Sequence, residues 1–489
     1  YLFEANLRHD GNARYHSDYR WGTFPSFSAA WRISEESFMI NTKNWLDNLK
    51  LRVSYGSVGN NGGDDVGEYE YQSTYGGSKY PFGGKLISGL ASTSIANSML
   101  SWETSKMTNV GIDLNALNNR LSFTMDAFVK NTTGILFTPS IYLTAGNKGA
   151  PRKNIAEMST KGVELSLGWK DQIEEVSYSV SGNFSYTPNK IKKYKGELVA
   201  GYDENGEWKS NIGDVASSTS AVNPVIEDRI MKEYYVRNPY KGSGKGYATD
   251  GVNGGPTDGM IRTESDMEWL KAMIDAGHTF MPNKTVAKDK IWYGDYIYAD
   301  ANGDGIYGGS DDKEFQGVSS DPKFNFGFQM SAAWRGFDIS MNWAGAAGFK
   351  LYWGASTGYN SPTTRVGVAL GTDIANNHYF YNPENPSDPR TNQAAKYGRL
   401  VNGESGYQNV ETSSLYLYNG NYLKLKNLTF GYTVPAHISK KFFTDNLRAY
   451  VSIENVFNIT KYPGQDPELG ATPEYTSLRQ FAFGVNISF

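Results

Sequence analysis

The sequence predicts an all-β chain whose strands are long enough to cross a bilayer as part of an antiparallel transmembrane barrel. Three observations predict it. Apolar and small polar residues alternate with period two over segments of ten or more residues, the links between segments alternate between short and long, and the composition is rich in aromatic residues and glycine.

The alternation is plainest where Val176, Tyr178, Val180, Phe184 and Tyr186 interleave with Ser177, Ser179, Ser181, Asn183 and Ser185. Val163, Leu165, Leu167 and Trp169 interleave likewise with Glu164, Ser166, Gly168 and Lys170. The same pattern runs from Leu49 to Tyr55, Leu121 to Ala127, Phe324 to Ser331 and Phe337 to Trp343. Successive strand residues point to opposite faces, so each segment has one greasy and one wet side. Twelve strands are expected, near 1–10, 23–33, 49–58, 101–116, 121–137, 158–170, 175–188, 322–335, 337–350, 419–433, 446–459 and 478–489. Strands of soluble domains run to about 5–6 residues, whereas a tilted membrane strand needs about 9–11.

Links at Asn118–Arg120, 171–174 and Arg335–Gly336 are short, and two joints of intermediate length fall on the same side. Between them lie long links at 59–100, 138–157, 189–321, 351–418 and 460–477. Short turns at one rim and long loops at the other are the outer-membrane pattern, with the loops extracellular and the turns periplasmic. The loops 59–100, 189–321 and 351–418 are the largest, and 189–321 is long enough to need structure of its own. Within it Ser265, read as the cap residue, precedes Met267, Leu270, Met273 and Ile274 at helical spacing, which predicts a short amphipathic helix that packs the loop on itself.

The 489 residues include 34 Tyr, 24 Phe, 11 Trp and 53 Gly, residues suited to pleated surfaces and turns. No Cys is present, which excludes disulfides and Cys-ligated zinc. The 47 basic and 51 acidic residues nearly balance and leave no electrostatic footprint for nucleic acid. No apolar run approaches the length of a membrane helix. The chain opens at Tyr1 inside a strand-like segment, so a piece of a longer protein is expected.

The closing segments Tyr422-Leu-Lys-Leu-Lys-Asn-Leu-Thr-Phe-Gly-Tyr-Thr-Val-Pro435 and Leu447-Arg-Ala-Tyr-Val-Ser-Ile-Glu-Asn-Val-Phe457, followed by Thr460-Lys-Tyr-Pro-Gly-Gln-Asp-Pro467 and a terminal Phe489, resemble the last strands of SusC/RagA-type TonB-dependent transporters. Tyr19 to Ile33, Tyr55 to Asn60 and Gly294 to Gly305 resemble the same family. The resemblance spans nearly the whole chain. It implies that residues 1–489 are the carboxy-terminal part of a barrel of about 22 strands. The family's plug and TonB-contact segment have no counterpart here, so they and the remaining strands are expected from other sequence. Outer-membrane lipid, TonB and a SusD-like surface lipoprotein are the implied partners.

Four sets of residues are candidates for function. Phe481, Phe483 and Phe489 on the last strand resemble the signal read by the barrel-insertion machinery, or are simply lipid-facing. Asp300, Asn302, Asp304 and Asp311, with Gly305, are spaced like a calcium loop, although position twelve is Asp rather than Glu. The competing reading is an Asx/Gly turn before the next strand. Loop aromatics, foremost Trp292, Tyr293, Tyr296, Trp353 and Tyr416, are candidates to stack on cargo, or else pack the loops or form a bilayer-boundary girdle. The five His are scattered without metal-ligand spacing. No nucleophile elbow, phosphate loop or dinucleotide fingerprint occurs, and Asp203, Glu204 and Glu207 read as solvated loop charges. No enzyme activity is expected, and calcium is the one candidate cofactor.

The resemblance implies TonB-dependent import of an oligosaccharide or peptide across a bacterial outer membrane. The alternatives are a passive porin, or a secreted all-β glycan-binding protein.

Overall fold

The computed structural model describes residues 1–63, 66–138, 150–194, 200–210, 222–247, 251–353, 372–400, 407–471 and 475–489. Twelve strands form one continuous meander: β1 (Leu2–Gly11), β2 (Trp21–Arg32), β3 (Leu46–Asn60), β4 (Glu103–Ala116), β5 (Leu121–Phe137), β6 (Lys153–Ile173), β7 (Val176–Tyr186), β8 (Phe324–Trp334), β9 (Phe337–Ala347), β10 (Tyr422–Thr433), β11 (Asn446–Thr460) and β12 (Gln480–Ser488). Each pairs antiparallel with the next, and a short strand at Asn189–Lys193 adds to the start of β6. The twelve expected strands are all present. β6 begins five residues earlier than expected, because pairing with β5 resumes past two register shifts, at Ala156, Asn154 and Lys153.

Register carries the chemistry from strand to strand. One line perpendicular to the strands runs Trp31, Leu51, Ile112, Met125, Leu165, Phe184, Phe326, Gly345, Leu423, Ile459. Every member but the glycine is apolar. The line starts beside the short-turn end of β2 and finishes beside the long-loop end of β11. The strands are therefore steeply sheared, as closure into a tilted barrel requires. A neighbouring line, Lys50, Asp113, Thr124, Ser166, Asn183, Gly327, Ala344, Lys424, runs on the opposite face and is polar along most of its length. The sheet thus has an apolar outside and a polar inside.

The turns on one rim are tight. Arg335 and Gly336 both take positive φ, as a two-residue hairpin loop demands, and a Cβ on Gly336 would lie 2.6 Å from the Thr433 carbonyl. On the other rim a hairpin of Tyr75–Phe82 with Lys85–Ser92 projects from the link after β3.

The largest fully buried side chains lie outside the twelve strands, among them Trp269, Tyr298, Tyr379 and Phe280. The outward residues of β12, by contrast, are open: Phe483 is 79% and Val485 60% exposed. A water-soluble sheet would bury that face, whereas a membrane barrel presents it to hydrocarbon. Among the described residues no helix is long and apolar enough to cross a membrane, which says nothing of crossing by strands.

Candidate functional site: a polar half-lumen beneath a folded loop layer

The inner wall is built from small and charged residues. Ser122, Ser166, Ser181, Asn183, Gly327, Gln329 and Asn342 line a shallow concavity across β5 to β9. Toward β3, Arg52 makes two bonds of 2.9 and 3.0 Å to Asp113, which Lys50 also meets at 2.8 Å. The same guanidinium reaches Asp126 on β5 at 3.0 Å. Toward the other edge Arg448 on β11 pairs with Asp338 on β9 at 2.8 Å. These groups are partly exposed to the lumen, so each pair gains modest energy. Together they fix the charge pattern that anything inside the barrel meets.

Above the wall, the links after β7 and after β9 fold into one body. The sequence places Thr263 and Asp266 three apart, and the side chain of each caps the other's backbone N–H. That starts α1 (Glu264–Asp275), whose Met267, Leu270 and Met273 are buried with Trp269. The cap is Thr263 rather than a residue at Ser265, because the Thr263 hydroxyl accepts the Asp266 amide. Trp269 stacks on Tyr240 at 4.9 Å between centroids and meets Phe280 edge-on at 5.9 Å. Gly255, at φ 81, lets the chain pass the indole, since a Cβ there would lie 2.4 Å from it.

The second link locks onto the first through buried polar groups. Asp295 is fully buried and receives the Arg399 guanidinium through two bonds of 2.7 Å, the Asn409 amide at 3.0 Å and the Trp292 backbone N–H at 2.8 Å. Burial pushes the Asp295 carboxyl up to about 6, against the pull of Arg399. Tyr298 donates to the Gln408 carbonyl at 2.6 Å, and Tyr379 to the Arg262 carbonyl at 2.7 Å. Sequence reasoning missed this network. Apart from the Trp292 amide, its partners lie more than a hundred positions apart, and no spacing signals them.

A third link, 461–479, is anchored at the lumenal rim. The Lys424 ammonium is buried and binds Asp466 at 2.7 Å and Glu468 at 3.1 Å, while Lys426 also binds Glu468. Asp466 also caps the turn Pro467–Leu469. This is the role of the Tyr-Pro-Gly-Gln-Asp-Pro stretch in the fold.

The candidate aromatics divide. Tyr293, Tyr296 and Tyr416 are buried in the loop body, and the Tyr416 hydroxyl donates to the Asn409 carbonyl. Their rings take part in packing the loop body, the alternative reading given for them above. Trp292 packs edge-on against Tyr293 at 5.4 Å, and Trp353 packs edge-on against Tyr418 at 5.7 Å; both keep part of their surface open.

The acidic loop is a self-satisfied turn. Asp300 accepts the amides of Gly303 at 2.6 Å, Asp304 at 3.1 Å and Gly305 at 2.8 Å. Asn302 bonds Asp304 at 3.2 Å. The carboxylate that closes the loop is Asp312, which takes the Ala301 and Gly309 amides at 2.7 Å each, while the expected Asp311 is exposed. Among the described residues no group of three or more acidic or His side chains is placed to hold a metal. Calcium binding here is a proposal that titration of the full-length protein with the metal would test.

Phe481, Phe483 and Phe489 are all strongly exposed, with Phe481 and Phe483 on the outward face of β12. Among the described residues β12 and β1 each pair on one side only, so the sheet ends in two open edges.

An apolar-outside, polar-inside, sheared meander with its long links folded over one rim defines a segment of a large outer-membrane-type barrel. The comparisons with known proteins agree. A model of the TonB dependent receptor-like β-barrel family matches residues 1–262, and the chain belongs to that family, one of receptors and not of enzymes. It is 28% identical to TonB-dependent receptor P39 of Formosa agariphila, with all of this chain covering 45% of that one. It is 26% identical to TonB-dependent receptor SusC of Bacteroides thetaiotaomicron, covering 42% of it. Among solved structures, the RagAB peptide transporter superposes over the whole chain with a TM-score of 0.70 at 21% identity, covering 46% of that chain. The chain spans under half the length of the curated relatives it matches.

Proposed function

We propose that this chain supplies the carboxy-terminal part of the barrel of a TonB-dependent importer that carries an oligosaccharide or peptide across the bacterial outer membrane. The observation that carries the reading is the open sheet itself: its outer face suits hydrocarbon, its inner face suits water, and both edges await further strands. Upstream sequence supplies those strands, the plug and the TonB contact. The long links face outward from the cell and the tight turns face the periplasm. The folded loop layer is the platform for a SusD-like surface lipoprotein that lids the barrel. In this part of the protein the work is mechanical. The loops hold cargo at the rim, the polar wall offers hydrogen bonds without deep traps, and no bond is made or broken. The name of the relative SusC, a TonB-dependent receptor, supports TonB dependence, and that of the RagAB peptide transporter supports import and a peptide as one cargo class.

The test uses the full-length protein in its native host. Deletion of its gene abolishes growth on the cargo, and growth returns with the intact gene but not with one lacking the TonB-contact segment. Steady open conductance of the complete protein in planar bilayers, without an energy source, would instead assign it as a porin.

A further inference from the structure

Near its long-loop rim the outward surface carries two lysines on strands β4 and β6. Lys106 on β4 has the outward parity of Val110, and Lys161 on β6 that of Val163. Below Lys106 on the same face come Thr108 and then Val110, and below Lys161 comes Val163; the register row Val53, Val110, Ala127, Val163 is wholly apolar. Lys106 shares its register line with Asn131 and Ser159, and Lys161 lies two residues from Ser159 toward the short-turn end.

The shear brings the two lysines level. The line from Trp31 to Ile459 climbs from one rim to the other in nine strand steps. Residues at equal height are therefore offset by about one position per strand, toward the short turns as strand number rises. Two steps from Lys106, that offset lands on Lys161. Across two strand spacings and a two-residue offset along the strand, the pair is about 12 Å apart. Within about one residue of the same height on the next strands, Tyr186 stacks on Phe324 at 4.9 Å, and such rings mark the headgroup level of a bilayer. On β8 and β10 the level positions are Phe324 and Leu423.

Both lysines are exposed, and among the described residues neither side chain makes an ion pair or hydrogen bond. Lys190 and Lys192 stand on the adjoining short strand. Lys190 is paired with Asp228 at 2.8 Å; on β6 Glu164 shares the inward face with Asp126, and Glu157 has the parity of Lys161 four residues away.

We propose that Lys106 and Lys161 form a binding site for the phosphate-bearing headgroup of an outer-leaflet lipid. The site stands on a convex wall, with hydrocarbon-facing Val163 next below Lys161 and Val110 below Lys106 past Thr108. A ligand satisfying both must present phosphate above and acyl chains below, which a soluble anion does not. This rests on the reading that the outer face meets a bilayer.

The experiment is native mass spectrometry of the full-length protein in detergent, titrated with a bis-phosphorylated lipid A, its dephosphorylated form and inorganic phosphate. The double variant Lys106→Gln/Lys161→Gln is expected to bind the phosphorylated lipid about 30-fold more weakly, from the ordinary worth of two lysines at a lipid surface. Removing the phosphates should weaken binding to the wild type by as much. A control, Lys79→Gln/Lys85→Gln in the projecting hairpin, should bind as the wild type does. Equal binding by the double variant overturns the proposal, as does displacement of the lipid by an equal concentration of inorganic phosphate. Recovery of the protein outside the membrane fraction would instead sink the barrel reading beneath it.

Discussion

Arg52 on β3 and Asp126 on β5 are joined at 3.0 Å directly over Gly111, which sits between them on β4 in the same register line. A Cβ at Gly111 would lie 2.4 Å from the Asp126 carboxylate and 2.8 Å from the guanidinium. At the other end of the sheet Gly431, in register with Asp338 and with Tyr450 rather than Arg448, likewise lies under the Arg448–Asp338 pair, where a Cβ would meet the guanidinium at 2.4 Å and the carboxylate at 2.6 Å. In both, glycine on the middle strand is what lets a charge pair span two strands.

Gly111→Ala should therefore break the Arg52–Asp126 contact while leaving Arg52 with Asp113. The expected cost is about 1–3 kcal/mol, as for other overpacked sites. Urea unfolding of the full-length protein, followed by heat-modifiable gel mobility, measures it; an unchanged midpoint would remove the steric role given to this glycine.

Arg399→Met leaves Asp295 buried without its cation. Breaking one side of such a pair costs about 3–5 kcal/mol. The loss should be local. Hydrogen exchange should rise in 292–298 and 407–410 and stay as it was in β7 and β8. Arg399→Met combined with Asp295→Asn should regain most of the protection, because the charge is then gone.

Two loop carboxylates should respond to pH with opposite signs. Burial raises the Asp295 carboxyl to about 6, above its unfolded value, so its contribution to stability grows as pH falls through 6. For Asp466 burial works upward, but the Lys424 ammonium, the Glu468 amide and Ser477 together hold it below the usual carboxylate range. Its contribution is present at neutral pH and is lost only in acid, as pH drops through that lowered value. Exchange at the Tyr296 amide, corrected for intrinsic rate, should slow between about pH 7 and about pH 5, and Asp295→Asn should flatten that change. Protection of residues 461–471 should hold over the same interval, and Asp466→Asn should abolish it throughout.

Trp269→Ala removes the centre of the loop body, where the indole meets Tyr240 and Phe280. The expected cost is about 3–5 kcal/mol, confined to the loop layer. Limited proteolysis should then cut within 240–307 while the strands remain folded in detergent. A variant as resistant as the wild type would show that the loop body does not depend on this side chain.

The strands were legible because every second residue answers to a different solvent, a demand repeated locally along each segment. Val176 to Tyr186 declares its two faces without reference to any other strand. The helix after Thr263 was legible for a similar reason, although its cap was read two residues late. The loop body was not. Tyr293, Tyr296 and Tyr416 look the same in sequence whether they face cargo or each other, and burial alone separates the two. Asp311 and Asp312 are adjacent acids, and only the fold shows which one turns inward to close the loop.

The sequence by itself determined that this is a membrane-type sheet of twelve long strands with short turns on one rim, since alternation and link length are local properties of the chain. Only the tertiary structure decided that Asp295 meets Arg399, that Lys424 holds Asp466, and that Lys106 stands level with Lys161. Those relations depend on strand shear and on contacts between distant segments, which arise only once the chain has folded in three dimensions.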